Sequence, residues 1–127
     1  MPTPEEVRAA INAYVKAFDA QDKAAFLDVF TDDARQIDPA PGPANVGKEA
    51  IGAFWDNAAQ MAESFKFNVH NIIVCGDEAA MIFTMTLGLA DKSRVKFDGV
   101  DIFKVAESGK VESITAYWDP TQIVPAD

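Results

Sequence analysis

The 127 residues, 49% of them apolar, are enough for one ordinary domain with its own core and too few for a second. Eleven Lys and Arg against 20 Asp and Glu leave a net charge of -9, which argues against nucleic acid or an anionic membrane surface as a partner and sets no barrier before an uncharged apolar ligand. The opening MPTPEEVRAAI has acidic residues where a secretory signal needs a basic stretch, and no run approaches the roughly 18 apolar residues of a membrane span, so a soluble, cytoplasmic protein is expected.

Thr3 is placed to cap a helix whose first residue is Pro4 and whose third is Glu6, a capping-box arrangement, and Val7, Ile11, Tyr14 and Phe18 follow at helical spacing. Tyr14 therefore falls on the buried stripe. Asp22 can cap a short second helix carrying Phe26, Leu27, Val29 and Phe30, after which Thr31-Asp32-Asp33-Ala34 reads as a turn and Arg35 to Asp38 as a short strand. The Pro/Gly cluster from Asp38 to Gly47 reads as an ordered loop within the domain. Lys48 to Met61 is predicted to be a third helix with Ile51, Phe54, Trp55 and Ala58 on one face.

From Ser64 onward the period changes to two. Alternating segments near 64–75, 79–90, 93–105 and 110–118 are separated by turn signals at Gly76-Asp77, Asp91-Lys92 and Ser108-Gly109, which predicts consecutive antiparallel strands. Helices first and a strand meander afterwards define an α+β domain over residues 1–127. A curved antiparallel sheet wraps around the three N-terminal helices and leaves an apolar pocket between the two layers.

Asp101 breaks the pattern of its strand. One face carries Val95, Phe97, Gly99, Asp101, Phe103 and Val105, and the other Arg94, Lys96, Asp98, Val100, Ile102 and Lys104. An ionised carboxylate among those apolar residues costs several kcal/mol unless paired, so the neutral acid, a hydrogen-bond donor, is the cheaper state. Two plainer arrangements remain open: a bulge at Gly99 that turns Asp101 outward, or a basic partner that makes it an ordinary buried ion pair. By pattern, Tyr14 reads equally as a core tyrosine, and Asp38 before Pro39 as a turn residue. His70 is expected to face solvent and Cys75 to be a small packing residue at a strand end. With a single His and a single Cys, disulfides, clustered zinc sites and paired-histidine catalysis are hard to build, and the acidic pairs Glu5-Glu6 and Asp32-Asp33 make no convergent metal site. Catalysis, if present, falls to carboxylates and tyrosines.

Taken together, the segment Ala13-Tyr14-Val15, the run from Thr31-Asp-Asp-Ala to Asp38-Pro39, the strand Gly99-Val-Asp-Ile-Phe103 and the closing Ala116-Tyr-Trp118 resemble the bacterial ketosteroid isomerases, of the nuclear-transport-factor-like fold. The likeness covers nearly the whole chain. It implies a cone-shaped open barrel and a steroid Δ5-Δ4 isomerase with three catalytic residues. Asp38 would carry a proton from C4 to C6, while Tyr14 and a protonated Asp101 hold the dienolate oxygen; one carboxylate as base and another kept protonated is the known logic of that family. Phe54, Met81, Phe83, Phe97 and Trp118 would line the steroid slot. Phe30 and Trp55 stand where family members can carry supporting tyrosines, so a Tyr-to-Tyr network behind Tyr14 is not expected, although the Trp55 indole could donate there. The resemblance implies a homodimer formed through the outer sheet face, and no cofactor or metal. The alternatives are another enzyme on the same scaffold, such as a polyketide cyclase, dehydratase or hydrolase, and a non-catalytic module that binds an apolar ligand.

Overall fold

Helix α1 (Pro4–Ala20) begins at the expected capping box: the Glu6 amide donates to Thr3 Oγ1 at 3.1 Å and the Thr3 amide to Glu6 Oε1 at 2.9 Å. The structure, a computed structural model, describes residues 1–127. Gln21, in the left-handed region at φ 54°, stops α1, and Asp22 accepts from the Ala25 amide to start α2 (Lys23–Asp28). Strand β1 (Phe30–Ile37) and the two-residue β2 (Asn45–Val46) precede α3 (Gly47–Met61). The meander follows as β3 (Ser64–Cys75), β4 (Glu78–Gly88), β5 (Arg94–Val105) and β6 (Val111–Tyr117), and a short β7 (Val124–Ala126) closes on the start of β5.

Seven strands form one sheet in the order β2-β1-β6-β5-β4-β3, with β7 beside β5. The sheet is curved and unclosed, and the three helices lie on its concave side, α1 mainly against β3 and α3 against β1. All strand pairs are antiparallel except β1 with β6, which run parallel.

Three local expectations are corrected: first, α2 ends at Asp28, so Val29 is its cap and Phe30 already belongs to β1. Thr31 to Ala34 is not a turn but part of β1, where the register to β6 shifts between Phe30 and Arg35. The reason lies in its surroundings: Asp32 and Asp33 point to solvent while Phe30 and Ala34 remain buried, so the polar residues bulge off the ladder without ending the strand. Cys75, at the end of β3, is exposed and not packed.

The core is an aromatic cluster centred on Tyr14. Its ring meets Phe18, Phe26, Phe30, Phe67 and Phe103 at centroid distances of 5.1 to 6.2 Å. The Asp19 carboxylate fixes α1 to the sheet by accepting from the Phe67 amide at 2.9 Å. Tyr14, five residues earlier on the same helix, packs against Phe67 of β3 and Phe103 of β5.

Candidate active site

Between the helices and the concave face lies a cavity of about 370 Å³. Its wall contains Tyr14 from α1, Asp38 from the end of β1 and Asp101 from β5, and otherwise is almost wholly apolar. The alternation of β5 turns Asp101 inward as drawn from the pattern. Pairing between β4 and β5 runs without interruption from Glu78–Lys104 to Gly88–Arg94, so no bulge at Gly99 reverses the faces. No cation approaches Asp101 either, and its Oδ1 is buried without a partner in the protein. Both plainer arrangements are thus excluded.

Ala116 brings the two carboxylates to one place. It pairs with Asp101 across β5–β6, while its carbonyl accepts from the Ala40 amide at 2.8 Å, pinning the loop that begins at Asp38 to the other side of the same residue. Ala116 itself forms part of the cavity wall, with Asp38 and Asp101.

Asp101 is 2% exposed, and burial first, then the nearby charge of Asp38, raises its pKa well above the usual carboxylate range. Burial thus favours its neutral form, the one able to donate. Tyr14 is pushed up in the same way by burial and by the charges of Asp101 and Asp38, and remains a phenol. Asp38 is raised by burial to about 6, against the opposing effect of a hydrogen bond from Trp118 Nε1 to its Oδ1 at 2.7 Å. At pH 7 it is mostly ionised. A phenol, a carboxyl that burial drives toward its neutral form and a more readily ionised carboxylate thus share one apolar cavity, a set of groups able to take up a proton and to donate hydrogen bonds.

Of the residues expected to line the slot, Phe54, Phe83, Phe97 and Trp118 are on the cavity wall. Met81 is not. It pairs with Asp101 across β4–β5 but is fully buried within the core, off the cavity wall. The residues behind Tyr14 supply carbon only. Phe30 presents its ring edge-on at 6.2 Å, and Trp55 packs on Phe18 and Phe26 at 5.0 and 4.5 Å with no hydrogen bond to Tyr14.

Sequence reasoning missed three kinds of residue here. Trp118 was expected only as lining, yet it is the donor to Asp38 while its ring stacks on Phe97 at 4.5 Å. Phe65, Phe67, Met85 and Leu87 extend the wall, and the alternation of β3 and β4 carried that signal. Asn57 is on the wall too, with no pattern to announce it. His70 lies on the outer face, exposed, in a string in which its Nε2 meets Thr84 Oγ1 at 2.8 Å and that hydroxyl donates to Asp98 at 2.6 Å. No three His, Cys, Asp or Glu side chains converge to hold a metal ion, and no helix is long and apolar enough to cross a membrane.

Residues 11–114 match the SnoaL-like domain, and the chain belongs to that family. It is similar to a steroid Delta-isomerase of Nocardioides simplex, 26% identical over 119 residues and covering 94% of each chain. Among solved structures, it resembles an epoxide hydrolase/cyclase-like enzyme of pyran ring formation in polyether salinomycin, with TM-score 0.89, 19% identity and coverage of 99% and 100%. It also resembles a Mycobacterium tuberculosis protein in complex with estradiol-17beta-hemisuccinate, with TM-score 0.84, 21% identity and coverage of 94% and 98%. A Delta 5-3-ketosteroid isomerase from Mycobacterium sp. has TM-score 0.82 at 19% identity, with coverage of 95% and 98%. The fold is therefore the α+β cone of this family, on which isomerases, cyclases and hydrolases are all built.

Proposed function

We propose that this chain is a steroid Δ5-Δ4 isomerase. The observation that carries the reading is the pairing of unlike carboxylates at one end of an apolar cavity: Asp101, neutral and with an unpartnered buried oxygen, beside Asp38, ionised at neutral pH. Simple binding of an apolar ligand gives no reason for a buried acid there. In the reaction, Asp38 takes a proton from C4 of a Δ5-3-ketosteroid. The C4–H electron pair becomes the C3–C4 double bond, and the carbonyl pair moves onto O3, where Tyr14 and Asp101 donate to it. When the carbonyl re-forms, the C3–C4 pair becomes the C4–C5 double bond and the C5–C6 pair takes the proton back from Asp38 at C6. Atoms and electrons balance without a cofactor.

The match to a steroid Delta-isomerase over 94% of both chains supports the substrate class, as does a steroid ester bound on the same fold. The test is growth of conjugated-enone absorbance when the protein meets a Δ5-3-ketosteroid. Turnover that Asp38→Asn largely removes is expected, and absence of turnover by the parent protein would sink the assignment. A second reading, ring-forming or epoxide-opening chemistry by the same acid and base, has in its favour the likeness to the salinomycin enzyme at TM-score 0.89. An epoxy-alcohol consumed while the steroid is ignored would establish it instead.

The proposal includes a homodimer formed through the outer sheet face, supported by Ile73 and Tyr117, which are 47% and 53% exposed there. Light scattering should return twice the chain mass, and Ile73→Glu should return the single chain.

A further inference from the structure

Gly99 lies on the cavity side of β5, two residues from Asp101 and two from Phe97. A side chain there has no room. A Cβ would lie 2.7 Å from Cζ and 3.2 Å from Cε2 of Phe83, and 3.0 Å from the carbonyl oxygen of Tyr117. The Tyr117 side is backbone, held in the β5–β6 ladder by pairing with Val100, so it cannot give way. Phe83 has little freedom toward β3, where Phe67 packs against it at 5.0 Å and 76°. The Phe83 ring already forms part of the cavity wall, so a push away from β5 carries it toward the cavity.

The position matters because of how the slot runs. Its wall includes Asp101 and Phe97 of β5, with the Phe83 ring lying over Gly99 between them, and Phe83, Met85 and Leu87 of β4. Asp101 to Phe97 spans about 13 Å at about 3.3 Å per residue, the length of a fused multi-ring molecule and far more than one ring. The reacting ring belongs at the Tyr14, Asp38 and Asp101 end. Rings beyond it pass over Phe83.

We propose that Gly99 sets the shape of substrate this site accepts: its missing side chain lets the Phe83 ring lie across β5, keeping the middle of the slot open for flat, fused rings. The inference rests on the reading of the cavity as a steroid site. It deepens that reading by naming what selects a planar polycycle over a single ring. A Cβ at position 99 would raise Phe83 into the path of the second ring and leave the reacting end untouched.

The experiment is calorimetric binding of two phenols, each a mimic of the dienolate, to the full chain: the tetracyclic estradiol and the one-ring p-cresol. Gly99→Ala should weaken estradiol by about tenfold or more, the usual consequence of overpacking, and p-cresol by less than about twofold. Adding Phe83→Leu, which removes the ring atoms that Ala at 99 would strike, should restore estradiol. Equal weakening of both ligands, no change in either, or no restoration by Phe83→Leu would overturn the inference. If Gly99→Ala does not fold, Phe83→Leu alone decides the matter: it should strengthen a phenolic steroid carrying a bulky substituent on its second ring relative to estradiol, and unchanged preference counts against the inference. Failure of the parent protein to bind estradiol at all would overturn the steroid reading and this inference with it. Binding with no size selectivity at position 99 would remove the inference alone.

Discussion

The indole Nε1 of Trp118 donates to Oδ1 of Asp38 at 2.7 Å, the one hydrogen bond from another side chain to that carboxylate. Burial works to protonate Asp38, and this donor works to keep it ionised. Trp118→Phe preserves a ring to stack on Phe97 but loses the N–H. Asp38 should then titrate above about 6, and the acidic limb of the kcat/KM profile should move to higher pH. A loss of about tenfold at pH 6 that shrinks toward the parent rate above pH 8 is expected, because only the fraction of ionised base changes. A uniform loss at all pH values would mean that Trp118 acts through shape instead.

Replacing the donors tests the oxyanion assignment. Tyr14→Phe and Asp101→Ala should each lower kcat by about 100- to 1000-fold, the range seen when one such donor is removed. Asp101→Asn keeps an N–H donor and should retain more activity than Asp101→Ala. Steady-state kinetics on a Δ5-3-ketosteroid measures all three, and an Asp101→Asn variant as inactive as Asp101→Ala would argue for a role other than donation.

Asp38→Asn separates base from donors. Turnover should fall by about 100- to 10,000-fold, while a phenol mimicking the dienolate still binds, since Tyr14 and Asp101 remain. Parallel loss of turnover and phenol binding would show that the roles are not separate.

Both carboxylates also make stability depend on pH. A carboxyl whose folded pKa lies above its unfolded value binds more protons when folded, so it favours folding at low pH, and that advantage is lost as pH rises through the folded pKa. For Asp38 the window runs from about 4 to about 6, and its elevation corresponds to on the order of 3 kcal/mol. Asp101 acts in the same direction with its loss at higher pH. Asp38→Asn should therefore raise the melting temperature by several degrees at pH 8 and by little at pH 3.5. Equal shifts at both pH values would contradict the buried, elevated carboxylate.

His70 gives a control that distinguishes chemistries on this fold. It lies on the outer face of the sheet with Thr84 and Asp98, away from the cavity. His70→Ala should leave steroid turnover within about twofold of the parent, as surface changes usually do. A collapse of activity would point to a histidine-dependent reaction.

Most of the architecture was legible from period and punctuation. The capping box at Thr3, the helical recurrence of Val7, Ile11, Tyr14 and Phe18, and the alternation of the last four strands each depend on neighbours close in sequence, and those elements formed where predicted. β1 was only half legible, because Thr31 to Ala34 bulge off the ladder between Phe30 and Arg35, the residues that pair with β6, and the strand continues through them against their own turn preference.

Asp101 is where the two levels meet. The sequence by itself placed this acid on the apolar face of its strand, where a charge is unfavourable, and the uninterrupted β4–β5 pairing removed the bulge that would have turned it outward. Only the tertiary structure decided what shares its cavity. Tyr14 and Asp38 lie 87 and 63 residues before it in the chain and reach it because α1 is docked on the sheet and β6 sets Ala116 between the carboxylates. Trp118 as donor, Met81 as core and Phe83 against Gly99 were likewise settled by packing. Periodicity says which face a residue is on, whereas the volume left between helices and sheet says which rows of that face are covered and which stay open to a ligand.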